Sequence, residues 1–371
     1  MRLSPTVLGA LAMILVPINL MGEEILNLGN AAPPLVVSDW VKGEKVEKFE
    51  PGKTYVVEFW ATWCGPCRAS IPHLTELAHR FKDKGVRFIG VDVWERDTSK
   101  VKPFLAEMGD KMDYHVALDS VPEKGDANDG VMAKTWMKAA EEDGIPTAFV
   151  VKDGKIAWIG HPMSMDEPLA KIVAGDWDAA SMAKQRLVAK TKERKVNAVR
   201  GKIFKVYRTG DYKAALATIE ETTSGDAELA EEFASLKFAA LCNSGAIDDG
   251  LALGGKLLEA NHDKPQMLNN VFWSVIGPTL KTAPDPRVAQ LALKAARRAD
   301  ELTNGKDLAI LDTLAVALWR AGDFKEAIST EEKAIKLLDA QVPDRSNAMQ
   351  KTYNERLEMF RQAAAEKGGR P

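Results

Sequence analysis

The sequence predicts an α/β sandwich around a mixed sheet, followed by an all-α array of helix pairs. Three observations carry that expectation. Apolar strand-like runs alternate with helically spaced segments between residues 54 and 160, the pattern of a sheet covered by helices. Cys64 and Cys67 stand where the first such run gives way to a helix. Beyond residue 179 strand-like runs nearly vanish, and aligned small residues at Ala215, Gly250, Ala289 and Ala327 recur 35, 39 and 38 residues apart. That is the length of a helix-turn-helix repeat. The expected division is a leader over 1–22, an α/β domain over 30–178 and a helical-repeat domain over 185–366.

Taken in order, the first 24 residues have the features of an export signal. Arg2 gives a positive start, Val7 to Met21 form an apolar run broken by Pro17 and Asn19, and Glu23-Glu24 closes it. Gly22 or the Gly29-x-Ala31 pair offers a small-residue cut; a retained membrane anchor and a buried helix are the competing readings. "LVVSDW" and "EKVEKF" flank "VKGE" as a hairpin would. "TYVVEFW" is a continuous apolar run suited to a central strand. From Pro66 to Lys84, Ile71, Leu74, Leu77, Ala78 and Phe81 share one helical face, and Gly85 ends the helix. "VRFIGVDVW" and "YHVALD" read as strands, with a helix over Thr98–Met108 between them and another over Asp129–Ala140. "GIPTAFVVKDGKIAWIG" folds as two strands about a Lys152-Asp153-Gly154 turn.

Composition excludes several functions. The 371 residues are 46% hydrophobic, enough for true cores. Fifty basic and 53 acidic residues give a net charge of −3 with no basic block, so no nucleic-acid partner is expected. Three cysteines cannot build a multi-bridge scaffold.

The cysteine pair carries the chemistry. At the start of a helix, Cys64 faces unpaired backbone N–H groups and the positive end of the dipole, which favours its thiolate and lowers its pKa. Cys67 lies one turn deeper within bonding reach. Pro66 suits the first helical turn, and Gly65 leaves room for a partner's chain. The arrangement fits a nucleophile and a resolving thiol. Other readings are weaker. Two core cysteines by chance sit poorly with Trp-Cys-Gly-Pro-Cys directly after an apolar strand. A zinc site needs four ligands, and none of the five histidines is paired at finger spacing. A permanent disulfide across two residues closes too small a loop to stabilise much. Redox work remains, with no cofactor and no metal required. Cys242 reads as a small buried hydrophobe; an intermolecular disulfide is the alternative.

"VVEFWATWCGPC" together with "GIPTAFVVKDGKI" resembles the thioredoxin superfamily, and the leader with "APPLVVSDWVKGEKVEKF" is most similar to exported TlpA/ResA-type thiol–disulfide oxidoreductases. The resemblance spans residues 30 to 175. It implies a thioredoxin-like fold in which Cys64 attacks a partner disulfide and Cys67 resolves the mixed disulfide. It implies that Pro146, after Ile145, is cis and faces the disulfide. Glu58 is a single charge in an apolar strand, so burial should raise its pKa; thioredoxins carry an acid at the matching position, which implies proton exchange with Cys67. An edge position facing solvent is the alternative for Glu58. Trp63, Gly65, Pro66 and Ile145 are the expected substrate contacts, and Trp60 and Trp63 are expected to shape the site. The Gly-Pro dipeptide and Ile145 favour a reductant. The stretch "TWMKAAEEDG" is longer than a minimal connection and is expected to modify the docking rim.

In the helical half, Leu311, Leu314, Ala315, Leu318, Gly322, Phe324, Ala327 and Ala334 resemble a tetratricopeptide repeat. Its expected role is a docking surface for a protein client. The whole is expected to act outside the cytoplasm on a protein disulfide, fed by an upstream thiol donor, with a possible membrane tether. A peroxiredoxin-like peroxidase and a repeat scaffold gated by the redox pair are the alternatives.

Overall fold

A computed structural model describes residues 25–280, 282–341 and 347–368. The expected leader lies outside the described residues. Among those described, no helix is long and apolar enough to cross a membrane. The chain divides into two compact units at Lys192–Glu193.

The first unit is built on a six-stranded mixed sheet in the order β1-β4-β3-β2-β5-β6. Its strands are β1 (Val37–Lys42), β2 (Thr54–Trp60), β3 (Val86–Asp92), β4 (His115–Asp119), β5 (Thr147–Lys152) and β6 (Lys155–Gly160). β2, β3 and β4 run parallel, while β1, β5 and β6 pair antiparallel with their neighbours. β2 lies in the middle with all seven residues buried. Alternate side chains feed two cores. Val56, Trp60, Phe88, Val116, Ala148 and Val150 meet α1 (Gly65–Phe81), α2 (Val101–Met108) and α3 (Asp166–Ala174). Tyr55, Val57, Phe59, Ile89, Val91 and Phe149 meet Trp136 and Met137 on the other face. α1 ends where the sequence places its stop, with a turn of 3-10 helix and Gly85 at φ 72°.

Two elements differ from expectation. Residues 44–49 form no strand, and β1 pairs with β4 at the sheet edge instead of closing a hairpin. Val46 is buried in the second core and Phe49 lies edge-on to Tyr55, 5.1 Å between centroids. The alternation in "EKVEKF" thus serves a covering segment. The helix expected over Asp129–Ala140 is a π-helix over Ala133–Lys138 after a 3-10 turn. Ala133, Trp136, Met137 and Ala140, at the i, i+3, i+4, i+7 spacing of one helical face, are buried against the sheet.

α4 (Ala179–Tyr207) contains the division between the units. Near its start Arg186 donates to the carbonyls of Leu26 and Ala140 and to the Glu142 carboxylate, and Lys190 donates to the Glu141 carbonyl. The "TWMKAAEEDG" stretch, expected at a docking rim, is therefore engaged by α4.

The second unit is all helical: α5 (Tyr212–Thr223), α6 (Ala227–Glu232), α7 (Ala234–Ser244), α8 (Ile247–Ala260), α9 (Pro265–Ile276), α10 (Pro286–Thr303), α11 (Leu308–Ala321), α12 (Phe324–Gln341) and α13 (Asn347–Gly368). From α7 to α11 the helices also touch their next-but-one neighbours, α7 with α9, α8 with α10 and α9 with α11, as stacked helix pairs do. The four aligned small residues occupy one frame. Ala215, Gly250, Ala289 and Ala327 are each the fourth residue of α5, α8, α10 and α12, and each is buried. Where the third copy lacks a turn glycine, Asp285 caps α10 by accepting from the Arg287 N–H, and Pro286 opens the helix.

Candidate active site

β2 delivers its C-terminus to the first turn of α1, and the cysteines occupy that junction. Cys64 is the N-cap of α1 and Cys67 lies in its first turn. They form a disulfide. The Cys67 backbone N–H donates to Cys64 Sγ at 3.1 Å. Burial orders the two sulfurs as expected, Cys64 at 3% exposure and Cys67 at 0%, although Cys64 is itself largely covered. The exposed surface over the bond belongs to Trp63, at 58%, and to Gly65 and Pro66. A Cβ added to Gly65 would meet nothing within 4 Å, so packing does not require glycine there and the surface is open.

The Ile145–Pro146 peptide is cis. It brings the Ile145 carbonyl oxygen to 3.7 Å from Cys64 Sγ. Residues 81 positions apart in sequence thus flank one bond. Ile145 also packs against both cores.

Glu58 sits on the central strand between Gly90 of β3 and Ala148 of β5. It shares the α1 face with Val56 and Trp60, by strand alternation, and is 1% exposed. The solvent-facing edge position is excluded. Burial pushes its carboxyl up to about 8, against a smaller opposing effect of the hydrogen bond from Tyr114. The Tyr114 hydroxyl donates to Oε2 at 3.1 Å, and Oε1 is buried without a partner.

Sequence reading missed a second buried acid. Asp92 ends β3 opposite Trp60, is 2% exposed, and has neither carboxyl oxygen hydrogen-bonded. Burial first, then the charges of Glu95 and Asp119, push it up to about 8. Its signal was in the sequence: it is the one acid inside the largely apolar run "VRFIGVDVW".

Beside the disulfide lies a groove of about 1120 Å³, bordered by Trp63, Arg68, Trp94, Glu95, Phe104 and Glu107. The Trp63 indole N–H donates to the Trp94 carbonyl, and the Thr62 hydroxyl and backbone N–H both donate to Glu95. These bonds fix the motif's leading residues against the loop after β3. Trp60 is fully buried against Phe104, 5.0 Å between centroids. Cys242 is a free, half-buried thiol in α7, which burial pushes up to about 12. Among the described residues, no group of three or more His, Cys, Asp or Glu side chains is arranged to hold a metal ion.

Comparison with known proteins agrees with this geometry. Residues 28–171 match the Redoxin family model. Protein FixW of Rhizobium leguminosarum is 31% identical over 202 residues, covering 53% of this chain and 90% of that protein. Thiol-disulfide oxidoreductase ResA of Bacillus thuringiensis subsp. konkukian is 38% identical over 136 residues, covering 36% of this chain and 69% of that protein. The solved thioredoxin domain of a thiol-disulfide oxidoreductase from Bacteroides vulgatus overlays with a TM-score of 0.32 at 26% identity, covering 40% of this chain and 99% of that one.

Proposed function

Because the chain belongs to the redoxin family of thiol–disulfide oxidoreductases, we propose that it reduces protein disulfides outside the cytoplasm, with Cys64 as nucleophile and Cys67 as resolving thiol. The observation that carries the assignment of roles is the Cys67 N–H aimed at Cys64 Sγ at the start of a 17-residue helix. A donor and the positive helix end at one sulfur favour negative charge there, and Cys67 has the deeper burial suited to the thiol that acts second.

In the reduced enzyme the Cys64 thiolate attacks one sulfur of a client disulfide. A mixed disulfide forms and the client's other sulfur leaves as a thiolate, which takes a proton from solvent. Cys67 then gives its proton to Glu58 and attacks Cys64 Sγ. The client's second sulfur leaves, and the Cys64–Cys67 disulfide closes. Two electrons pass to the client, and an upstream dithiol restores them. An extended client segment alongside Ile145 and Pro146 would lie next to Cys64 Sγ, with Trp63, Gly65 and Pro66 as the surrounding contacts.

The positively started apolar stretch at residues 2–21 supports export or a membrane tether. The second unit consists of helix pairs in a constant frame, which supports a tetratricopeptide-like surface for client docking.

The reduction potential of the Cys64–Cys67 pair, titrated against a thiol redox buffer, tests the direction of electron flow. A reductant has a value near about −270 mV, and a value near about −120 mV overturns that direction. Cys67→Ser tests the roles. It should accumulate a mixed disulfide through Cys64, visible on non-reducing gels and by mass spectrometry, whereas Cys64→Ser should accumulate none.

A further inference from the structure

We propose that Tyr114 is a positioning residue for Glu58, holding Oε2 by its hydroxyl so that Oε1 is the oxygen that receives the Cys67 proton. The acceptor role of Glu58 is the reading given above, and the inference rests on it.

Tyr114 immediately precedes β4, and Glu58 lies on β2, with β3 between them in the sheet. A side chain from the far strand can reach the near one only across the intervening one. Gly90 of β3 supplies the passage, since it is the register partner of both Glu58 and Val116. A Cβ at Gly90 would stand 3.1 Å from Tyr114 Cε2 and 3.0 Å from Trp60 Nε1. Both are tighter than ordinary van der Waals contact, so the absence of a side chain there leaves room for the phenol to lie over β3. Tyr114 is itself 7% exposed and belongs to the α1-face core. Burial and the neighbouring Glu58 push its proton affinity upward, so the hydroxyl remains a donor at any pH where the enzyme would work.

The two carboxyl oxygens are therefore not equivalent. Oε2 has its donor at 3.1 Å, while Oε1 is buried and has none. A phenol can donate to either charge state of the carboxyl, but the bond is stronger to the carboxylate. Tyr114 thus opposes the effect of burial and keeps Glu58 able to release its proton after each turnover. Without the phenol, nothing described at Glu58 would counter desolvation.

The test is Tyr114→Phe in the full chain, read by infrared titration of the Glu58 carboxyl, whose band is identified by its loss in Glu58→Gln. The second readout is the pH profile of mixed-disulfide resolution. The carboxyl midpoint should move upward by about one pH unit, a tenfold gain in proton affinity. Gly90→Ala should move it in the same direction with the phenol still present, because the added methyl displaces the ring. A Glu58 midpoint unchanged in a folded Tyr114→Phe protein overturns the inference. A shifted midpoint with an unshifted resolution profile supports Tyr114's hold on Glu58 and instead removes Glu58 as the acceptor.

Discussion

Asp92→Asn should make the protein more stable, and only above about pH 4. In the fold the Asp92 carboxyl is pushed from 3.8 up to about 8. Between those values the folded chain keeps a proton that the unfolded chain has released. The folded state therefore binds more protons, and stability falls as pH rises through that window. At pH 7 the gap from 3.8 corresponds to about 4 kcal/mol, at 1.36 kcal/mol per unit. Asn has nearly the shape of the neutral acid and leaves the same number of polar atoms without partners, so it removes the pH-dependent cost and little else. The figure is a ceiling, since water entry or a small backbone shift would relieve part of it. Urea denaturation of wild type and Asp92→Asn at pH 4.5 and pH 7.5 would measure it. The other buried acids are common to both proteins and cancel in the difference. The variant's advantage should be small at the lower pH and several kcal/mol at the higher. An equal difference at both values, or a variant less stable at pH 7.5, would refute the reasoning.

Glu331→Gln should show the same sign in the helical unit. Glu331 is fully buried in α12 with both oxygens unpartnered, and burial, with Asp312 adding to it, pushes it up to about 8 against the opposing charge of Arg356; thermal melts at pH 5 and pH 8 would reveal it. Arg186→Ala should cost about 2 kcal/mol, because it strips charged hydrogen bonds from half-buried acceptors at Leu26, Ala140 and Glu142. Hydrogen exchange should then report lost protection around residues 139–143 and the start of α4. Gly254→Ala should cost about 1–3 kcal/mol through overpacking, since its Cβ would come within 2.7 Å of Phe238 and 2.8 Å of Leu291; urea titration of the helical unit checks this.

The legible parts of the fold were those in which neighbouring residues decide the outcome. β2, α1 and the β5–β6 turn follow from an apolar run, a helical stripe and a Lys-Asp-Gly sequence, and the structure has them where those signals end. The hairpin after β1 failed because alternation identifies a segment able to extend but not its partner. Here β4, 74 or more residues further on, supplies the pairing. The π-helical winding of Ala133–Lys138 was hidden because its buried residues, Ala133, Trp136 and Met137 with Ala140 after them, keep the i, i+3, i+4, i+7 spacing of an ordinary helical face. Within the candidate site, the cysteine pair and Glu58 were visible from local contrast. Tyr114 was not, since its bond to Glu58 spans 56 residues and depends on a glycine in a third strand.

Glu58 and Asp92 together show why proton affinity alone does not select an acceptor. Both are buried, both face the α1 side, and burial lifts both to about 8. They are register neighbours on adjacent strands, Glu58 opposite Gly90 and Asp92 opposite Trp60. The Trp60 indole leans to within 3.0 Å of where the Gly90 Cβ would stand, and so occupies the diagonal between them. Asp92 has no donor to stabilise its carboxylate, so gaining and losing a proton there would cost the fold each time. Glu58 has Tyr114 to hold the ionised form. A proton acceptor must be able to exist in both states at the working pH, and the Tyr114 bond at Glu58, with no counterpart at Asp92, is what favours Glu58 over Asp92 in the proposed mechanism.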